Sequence, residues 1–270
     1  MNFEALARRT VEGGLALYEQ PGTAPAVVFQ HGLGGSARQT AEAFPVDAAG
    51  RLVTLECRGH GASKLGPADQ LSIATFADDV AGVVEAVGAP VVLGGISMGA
   101  AISLRLAVRR PELVRALILV RPAWTFDAAP PNMRPNDEVA RLLAEFEPAE
   151  ARRRFEAGET ARRLASQSPD DLKSLLGFFD RAPQAETAEL LRRISADGPG
   201  VSRTEAASIA VPTLVIGCLA DDIHPWPFAE ALARTIRGAG LVRATGKSID
   251  RDGYVADLHT ALRVFVGGLG

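Results

Sequence analysis

The sequence predicts an α/β protein built around a mostly parallel β-sheet. Short, continuous apolar runs bounded by turn residues are typical of strands that are buried on both faces, as in a parallel sheet. Amphipathic helical patterns lie between most of these runs, and this alternation is typical of an α/β domain. Of the 270 residues, 47% are hydrophobic and 23% are charged. This composition supplies enough apolar surface for a sizeable core.

The first predicted element is a β-hairpin. Residues 5–11 and 15–19 are strand-like and flank the turn Gly13-Gly14. Further strands are predicted at residues 26–30, 51–56, 90–94, 116–121, 213–218 and 241–245. Helices are predicted at residues 72–87, 98–109, 228–236 and 252–266. The helix over residues 72–87 places its apolar side chains on one stripe, which indicates that it packs against the sheet.

Residues 122–208 interrupt the alternation of strands and helices. This segment opens with a proline-rich passage, continues with charged amphipathic helices at residues 137–146 and 170–179, and contains no strand-like run. The simplest interpretation is a helical insertion between two strands of one sheet. Residues 1–121 and 209–270 are then predicted to form the core domain.

Charge and hydropathy exclude several partners. The formal net charge is −3 and no long basic stripe is present, so no nucleic-acid partner is expected. Residues 1–20 carry five charged side chains and lack the apolar core of a secretory signal. The uncharged residues 89–104 contain three glycines and are fewer than the ~20 that a membrane span needs. No membrane partner is expected, and a cytoplasmic location is predicted.

Cysteines and histidines are too few and too scattered for a disulfide framework or a metal site. The two cysteines, Cys57 and Cys218, lie far apart in the sequence. We expect both to be reduced thiols in the core. The four histidines have no His-x-x-x-His spacing, so no bound metal is predicted.

The segment from Gly95 to Gly99 fits Gly-x-Ser-x-Gly and places Ser97 between a predicted strand and a predicted helix. That context is what the motif requires, because the serine must stand on a tight, strained strand-to-helix turn. Glycines on either side let neighbouring elements pack against the turn. The pattern predicts Ser97 as a nucleophile at a helix N-terminus, where the helix dipole favours a developing oxyanion.

The loop His31-Gly32-Leu33-Gly34-Gly35 directly follows a predicted strand. In an acyl-transfer site, the backbone N–H of Leu33 would pair with that of Met98 to form an oxyanion hole. A second interpretation is a dinucleotide site, because Gly32-x-Gly34-x-x-Ala37 fits Gly-x-Gly-x-x-Gly/Ala and Glu56 follows about twenty residues later. That alternative makes the protein an NAD(P)-dependent oxidoreductase, but it leaves the motif around Ser97 unexplained.

With Glu56-Cys57-Arg58-Gly59-His60-Gly61-Ala62-Ser63, the sequence resembles the α/β-hydrolase fold family, which commonly shows Asp-x-Arg-Gly-His-Gly-x-Ser here. The resemblance implies a mostly parallel eight-stranded sheet with a helical cap inserted after the sixth strand, residues 122–208. It also implies a serine hydrolase without a cofactor. Relatives carry the acid of the triad four residues before a proline such as Pro225, which points to Asp221. The chain order of Ser97 and Asp221 agrees with this family.

The sequence departs from the family where its catalytic histidine is expected. The loop at residues 245–253 contains no histidine, and Lys247 stands within it. Three interpretations remain open: a hydrolase with a relocated base, a lyase on the same scaffold, or a binding protein. For the first, His224 is the best base, because it follows Asp221 at the edge of the sheet where α/β proteins hold their ligands. Lys247 is a weaker substitute, since it would need strong desolvation to act as a base.

The predicted substrate is a small molecule. Trp124 opens the insertion and Trp226 follows the acid, and both are predicted to line a largely apolar pocket. We expect a small or medium acyl ester, thioester or lactone. The sequence leaves the acyl length and the oligomeric state open.

Overall fold

The computed structural model describes residues 3, 6–22, 26–48 and 50–269. These residues form an eight-stranded sheet with the order β1-β2-β4-β3-β5-β6-β7-β8, in which β2 runs antiparallel to both of its neighbours and the other pairs are parallel. The predicted fold class is therefore confirmed. The strands are β1 (Ala7–Val11), β2 (Leu15–Gln20), β3 (Ala26–Gln30), β4 (Arg51–Leu55), β5 (Val91–Ile96), β6 (Val114–Val120), β7 (Thr213–Cys218) and β8 (Gly240–Ala244).

Of the five α-helices of the core that the structure describes, four correspond to predicted helices, whereas the first along the chain was not predicted. They are α1 (Ala37–Ala43), α2 (Ile73–Val87), α3 (Met98–Arg109), α10 (Trp226–Thr235) and α11 (Arg251–Gly267). The helix α3 has the predicted bounds, and α2 begins where Ser72 caps it by accepting a hydrogen bond from Thr75 N at 3.0 Å. The predicted start of the first strand, Ala5, lies outside the described residues.

The central strands are apolar throughout because helices pack on both faces of the sheet. Along β5, Val91 and Leu93 belong to the core on one face, whereas Val92 and Ile96 belong to the core on the other. All residues of β3, β5 and β7 are buried. Strands with this burial read as continuous apolar runs rather than as alternating ones.

Residues 122–208, all of which the structure describes, hold six helices and no strand between β6 and β7. We call this segment the insertion. It has an apolar core of its own, which includes Val139, Phe155, Leu164 and Leu191. Its helices are α4 (Arg134–Glu145), α5 (Pro148–Ala157), α6 (Glu159–Gln167), α7 (Pro169–Leu176), α8 (Gln184–Ala196) and α9 (Arg203–Ala207). The division of the chain into a core domain and a cap stays a prediction.

Both cysteines are buried free thiols. Burial raises the pKa of Cys218 to about 12, and it raises the pKa of Cys57 further. Neither thiol is therefore a reactive thiolate near neutral pH. In the described part of the chain, none of the helices has the length and apolar character needed to cross a membrane.

Candidate active site

Ser97 stands on a strained turn between β5 and α3. Its backbone has φ 56° and ψ −110°, a conformation that non-glycine residues rarely adopt. Glycine is required beside it: a Cβ at Gly99 would lie 2.4 Å from Gln30 O, and one at Gly95 would lie 2.6 Å from the carbonyl carbon of Gly99. The sheet and the helix therefore meet closely enough to hold the serine in this conformation.

The loop after β3 lies directly against this turn. A Cβ at Gly32 would be 3.2 Å from Ser97 Cβ. Gly32 N–H donates to Gln39 Oε1 at 2.7 Å and Gly34 N–H donates to His60 Nε2 at 3.0 Å, whereas Leu33 N–H donates to no protein acceptor in the described part of the chain. Met98 begins α3, where N–H groups have no intrahelical acceptor. These two N–H groups are the ones predicted to form the oxyanion hole.

Two buried histidines brace this loop instead of taking part in chemistry. Nε2 of His31 accepts a hydrogen bond from Cys57 N–H at 3.0 Å, which places its proton on Nδ1, 2.9 Å from Gly32 O. His60 binds in the same manner, since its Nε2 accepts from Gly34 and its Nδ1 lies 2.9 Å from Arg58 O. Burial lowers the pKa of His31 to about 4 and also lowers that of His60. Both rings are therefore neutral at pH 7.

The carboxylate of Glu56 is committed to the backbone. It is buried, and its two oxygens accept hydrogen bonds from Ala37 N–H at 3.0 Å and Ala62 N–H at 2.7 Å. A dinucleotide site needs this acid to face a ribose hydroxyl. Glu56 cannot do so here, because the backbone already occupies both oxygens. A dinucleotide site at the loop of Gly32 and Gly34 therefore has no free carboxylate from Glu56 to bind a ribose.

Asp221 and His224 form a hydrogen-bonded pair on the loop after β7. Asp221 Oδ1 lies 2.7 Å from His224 Nδ1 and also accepts the His224 backbone N–H at 3.0 Å. The side chain of Asp221 is 3% exposed, whereas that of Asp222 is 27% exposed and pairs with Arg163 on the insertion. Of the two neighbouring acids, the buried one is therefore the one that the spacing to Pro225 selects.

A buried arginine neutralises this acid. Arg121, which directly follows β6 in a left-handed conformation (φ 44°), donates from Nε to Asp221 Oδ2 at 2.6 Å. The pKa of Asp221 lies well below its ordinary value although burial raises it, because the charges of Arg121 and His224 outweigh that effect. Asp221 therefore stays ionised near neutral pH and holds the proton of His224 on Nδ1. The other ring nitrogen, Nε2, is then left as a proton acceptor.

The insertion supplies a second buried acid to this cluster. Asp171 Oδ2 accepts hydrogen bonds from Asp222 N–H at 2.9 Å and Ile223 N–H at 3.1 Å, and Oδ1 lies 3.5 Å from Arg121 Nη2. Burial, followed by the charge of Asp221, raises the pKa of Asp171. The start of α7 therefore holds the loop that carries Asp221 and His224.

The same cluster has the donor types of a cation site. One atom each from Asp171, Asp221 and His224 lie within 4.8 Å of one another. The Arg121 guanidinium contacts both acids and already supplies the positive charge there. A divalent ion would have to displace it from Asp221, so the residues do not favour a metal site.

Ser97 and His224 line one small pocket of about 70 Å³, together with Leu33. Its other walls come from both the core and the insertion. They are Gly32, Gln39, Ile96, Arg121, Met133, Asn136, Asp171, Ser174, Leu175, Phe178, Ile223 and Lys247. The structure thus brings the predicted nucleophile, base and oxyanion loop to one place.

The two tryptophans predicted to line this pocket do not contact it. Trp124 is 1% exposed, and its Nε1–H donates to Asp197 O at 2.9 Å within the insertion. Trp226 begins α10 and packs its ring against the backbone of β7, where a Cβ at Gly217 would lie 2.9 Å from the ring. Neither residue is among those that line the pocket of Ser97, because nearness in sequence to the acid does not fix which way a side chain points.

The loop between β8 and α11 brings Lys247 to the pocket in place of a histidine. Its Nζ lies 3.0 Å from Asp170 Oδ2 on the insertion. The remaining histidine, His259, lies on α11, and its Nε2 is 2.9 Å from Glu42 O, away from the pocket. Among the four histidines, only His224 lines the pocket that contains Ser97.

The charge on Arg121 has a testable effect on stability. We expect Arg121→Gln to lower the free energy of unfolding near neutral pH by about 3–5 kcal/mol, because it leaves buried Asp221 without a counter-ion. In the wild type, the pKa of Asp221 is lower in the folded protein than in the unfolded chain, where it is about 4, so the ionised form stabilises the fold. This stabilisation is fully present above pH 4 and is lost as the pH falls through the pKa of the folded protein. In Arg121→Gln, the unpaired carboxylate of Asp221 destabilises the fold near neutral pH, and its protonation at low pH removes this cost.

The difference in the free energy of unfolding between wild type and Arg121→Gln should therefore narrow as the pH falls from 7 to 3. Urea denaturation measures it. Arg192→Gln, which removes an exposed arginine on α8, is the matched control and should change the free energy of unfolding by less than about 0.5 kcal/mol. An Arg121→Gln variant as stable as the wild type at pH 7 would contradict the assigned ion pair.

The chain belongs to the alpha/beta hydrolase family, whose model matches residues 27–250. Two curated relatives show how widely that family ranges. The chain is 31% identical over 228 residues to RutD of Klebsiella pneumoniae, a protein provisionally named a carbamate hydrolase; the match covers 81% of this chain and 82% of that protein. It is also 30% identical over 155 residues to a mouse sn-1-specific diacylglycerol lipase, ABHD11, covering 56% of this chain and 48% of the mouse protein.

A solved structure agrees with this assignment. The enol-lactonase of Burkholderia xenovorans superimposes with a TM-score of 0.67 at 26% identity, covering 95% of this chain and 99% of that chain. The family and the fold are therefore established, and hydrolysis is the activity that the names of these relatives share.

Proposed function

We propose that the protein is a serine hydrolase that cleaves a small acyl ester, thioester or lactone through an acyl-enzyme. The observation that carries the proposal is the pocket in which Ser97, on its strained turn, meets the hydrogen-bonded pair Asp221–His224. A nucleophile, a base and a group that orients the base are the parts that acyl transfer requires.

In the proposed mechanism, Ser97 Oγ attacks the substrate carbonyl carbon while His224 Nε2 takes the hydroxyl proton. The carbonyl oxygen becomes an oxyanion that accepts hydrogen bonds from Leu33 N–H and Met98 N–H. Collapse of the tetrahedral intermediate breaks the bond to the leaving group, which receives the proton from His224. Water then repeats these steps on the acyl-enzyme, with His224 as base, and releases the acid and free Ser97.

His224 is the proposed base in preference to Lys247. The imidazole has Asp221 at 2.7 Å to hold its proton on Nδ1, so Nε2 keeps a lone pair. Lys247 is ion-paired with Asp170 at 3.0 Å, and a paired ammonium has no lone pair with which to accept a proton. We assign Lys247 to the wall of the pocket.

The lysine in the β8–α11 loop also favours a second candidate. A lyase or a binding protein on the same scaffold would keep Ser97 and lack an efficient base for hydrolysis. This alternative rests on the absence of histidine from residues 245–253. We also propose a cytoplasmic location, because two buried free thiols suit a reducing compartment.

A labelling experiment separates the two candidates. We expect a serine-directed aryl phosphonate to add its mass to the peptide that contains Ser97, and we expect the labelled protein to lose turnover of 4-nitrophenyl acetate. Labelling is followed by peptide mass spectrometry and turnover by release of nitrophenolate. If wild-type protein neither takes the label nor turns over the ester, the hydrolase proposal fails and the binding protein takes its place.

Asp221 and Asp222 provide an internal comparison. We expect Asp221→Asn to lower kcat by about 10²–10⁴-fold, because an uncharged partner no longer fixes the tautomer of His224. Asp222→Asn should change kcat by less than about threefold, since Asp222 faces the insertion and pairs with Arg163. Steady-state kinetics with 4-nitrophenyl acetate measure both. Equal losses in the two variants would mean that the acid has been misassigned.

A further inference from the structure

We propose that Arg181 forms a carboxylate-binding subsite beside the active-site pocket, so that the preferred substrate carries a carboxylate in addition to its scissile carbonyl. The inference rests on the proposed hydrolytic function and adds to it the chemical class of the substrate.

Arg181 is a cation without an acid. Its Nη2 donates to Gly59 O at 2.7 Å, and its Nη1 is buried and has no hydrogen-bond acceptor. Its guanidinium lies 5.9 Å from the centre of the Phe178 ring. Burial alone lowers the pKa of Arg181, and no neighbouring carboxylate offsets this effect. A buried donor left unpaired is costly, which is a reason to expect a ligand that pairs with it.

The nearest acids are already engaged elsewhere. Asp180, the neighbour of Arg181 in sequence, pairs with Arg152 at 3.2 Å on the surface of the insertion. Glu56, which lies under the loop at Gly61, accepts two backbone N–H groups. Within the described residues, Arg181 thus has no carboxylate within ion-pair distance, and its Nη1 has no acceptor in the protein.

The cavity around Arg181 adjoins the active-site pocket. It has a volume of about 490 Å³ and is lined by Arg181. The two cavities share the walls Leu33, Gln39, Ser174 and Phe178. The space at Ser97 is only about 70 Å³, and the neighbouring cavity that Arg181 lines offers room for the rest of a larger substrate.

The oxyanion loop contacts both groups. Its first glycine faces the nucleophile, since a Cβ at Gly32 would lie 3.2 Å from Ser97 Cβ. Two residues further along, a Cβ at Gly34 would lie 2.5 Å from Phe178 Cε1 and 3.6 Å from Arg181 Nη1. The nucleophile and the cation therefore lie against the same three-residue stretch of the chain.

A carboxylate matches what this guanidinium offers. Arginine binds carboxylates through planar, charge-assisted hydrogen bonds, which are stronger than neutral ones in a partly buried site. A monoester or lactone derived from a dicarboxylic acid carries both a scissile carbonyl and a carboxylate.

The test compares two esters that differ only in charge: 4-nitrophenyl hemisuccinate and its methyl ester, 4-nitrophenyl methyl succinate. We expect wild-type protein to show a kcat/KM at least tenfold higher for the charged ester. Arg181→Gln should bring the ratio close to one by lowering only the value for the charged ester, and Arg181→Lys should keep part of the preference. The exposed control Arg192→Gln should leave the ratio unchanged.

The comparison separates binding of the carboxylate from a bracing role of Arg181. A variant that merely loosens the contact with Gly59 would lose activity on both esters equally, and an unchanged ratio in Arg181→Gln would overturn the proposal. A second measurement does not depend on hydrolysis. Calorimetry with Ser97→Ala should show succinate binding that is at least tenfold weaker once Arg181→Gln is added.

If wild-type protein hydrolyses neither ester but succinate binding depends on Arg181, the hydrolytic function fails and the subsite stands. If the esters are hydrolysed without a preference for charge and succinate does not bind, the subsite fails and the hydrolytic function stands.

Discussion

Replacing Ser97 with alanine is expected to lower kcat/KM for short aryl esters by about 10⁴-fold or more while leaving the fold intact. The proposed mechanism forms a covalent bond to Ser97 Oγ, and an alanine offers no atom for that bond. The side chain is small and 7% exposed, so its removal creates little empty space. Initial rates with 4-nitrophenyl acetate, normalised to active protein, measure the loss.

A second serine on the same helix provides the control. Ser103 is buried and donates its hydroxyl to Gly99 O at 2.8 Å, within α3. Ser103→Ala should retain activity within about threefold and should still be labelled by the phosphonate at Ser97. Circular dichroism checks that both variants fold. Full activity in Ser97→Ala would exclude the acyl-enzyme and remove the support for the assigned nucleophile.

The strands and the helices of the core could be predicted because each buried strand is an apolar run with turn residues at its ends. The nucleophile turn was also accessible from sequence. Gly95 and Gly99 of this turn must be glycine, because a Cβ at either position would collide with the backbone of the turn or of Gln30. Local backbone geometry and local sequence agree there, which is why a five-residue pattern located the centre of the site.

Two residues of the site were not found from the sequence: Arg121 and Asp171. The sequence does contain a signal for Arg121, since a charged residue directly after a buried parallel strand lies at the ligand-binding edge of the sheet. It contains no such signal for Asp171. It reaches Asp222 N–H and Ile223 N–H only because the insertion folds back over the loop after β7, and that contact joins residues 51 and 52 positions apart.

The vacant histidine position illustrates the same limit. From the sequence, His224 was the best candidate for the base, and Lys247, near the vacant histidine position, was a weaker substitute. Their partners separate them: Asp221 lies 2.7 Å from the imidazole, and Asp170 lies 3.0 Å from the ammonium. Asp170 belongs to the insertion, so its position depended on the tertiary fold.

The base therefore gives the second large prediction. We expect His224→Ala to lower kcat by about 10³–10⁴-fold for 4-nitrophenyl acetate, because it removes the proposed base, whose proton Asp221 holds on Nδ1. In wild-type protein the rate should fall toward acid pH, since a protonated imidazole cannot accept the proton of Ser97. Asp221 stays ionised in mildly acid solution because the charge of Arg121 holds its pKa low. The fall therefore reports on His224 and not on Asp221.

The pH–rate profiles of three variants decide whether this assignment holds. His224→Ala should lose the acid limb together with most of the rate. Lys247→Met should keep the acid limb, because removing an ion-paired ammonium leaves the imidazole and its acid in place. His259→Gln, whose side chain contacts Glu42 O away from the pocket, should behave as the wild type. If the acid limb persists in His224→Ala at full kcat, the base lies elsewhere. If it disappears only in Lys247→Met, the lysine in the histidine's usual loop carries the proton after all.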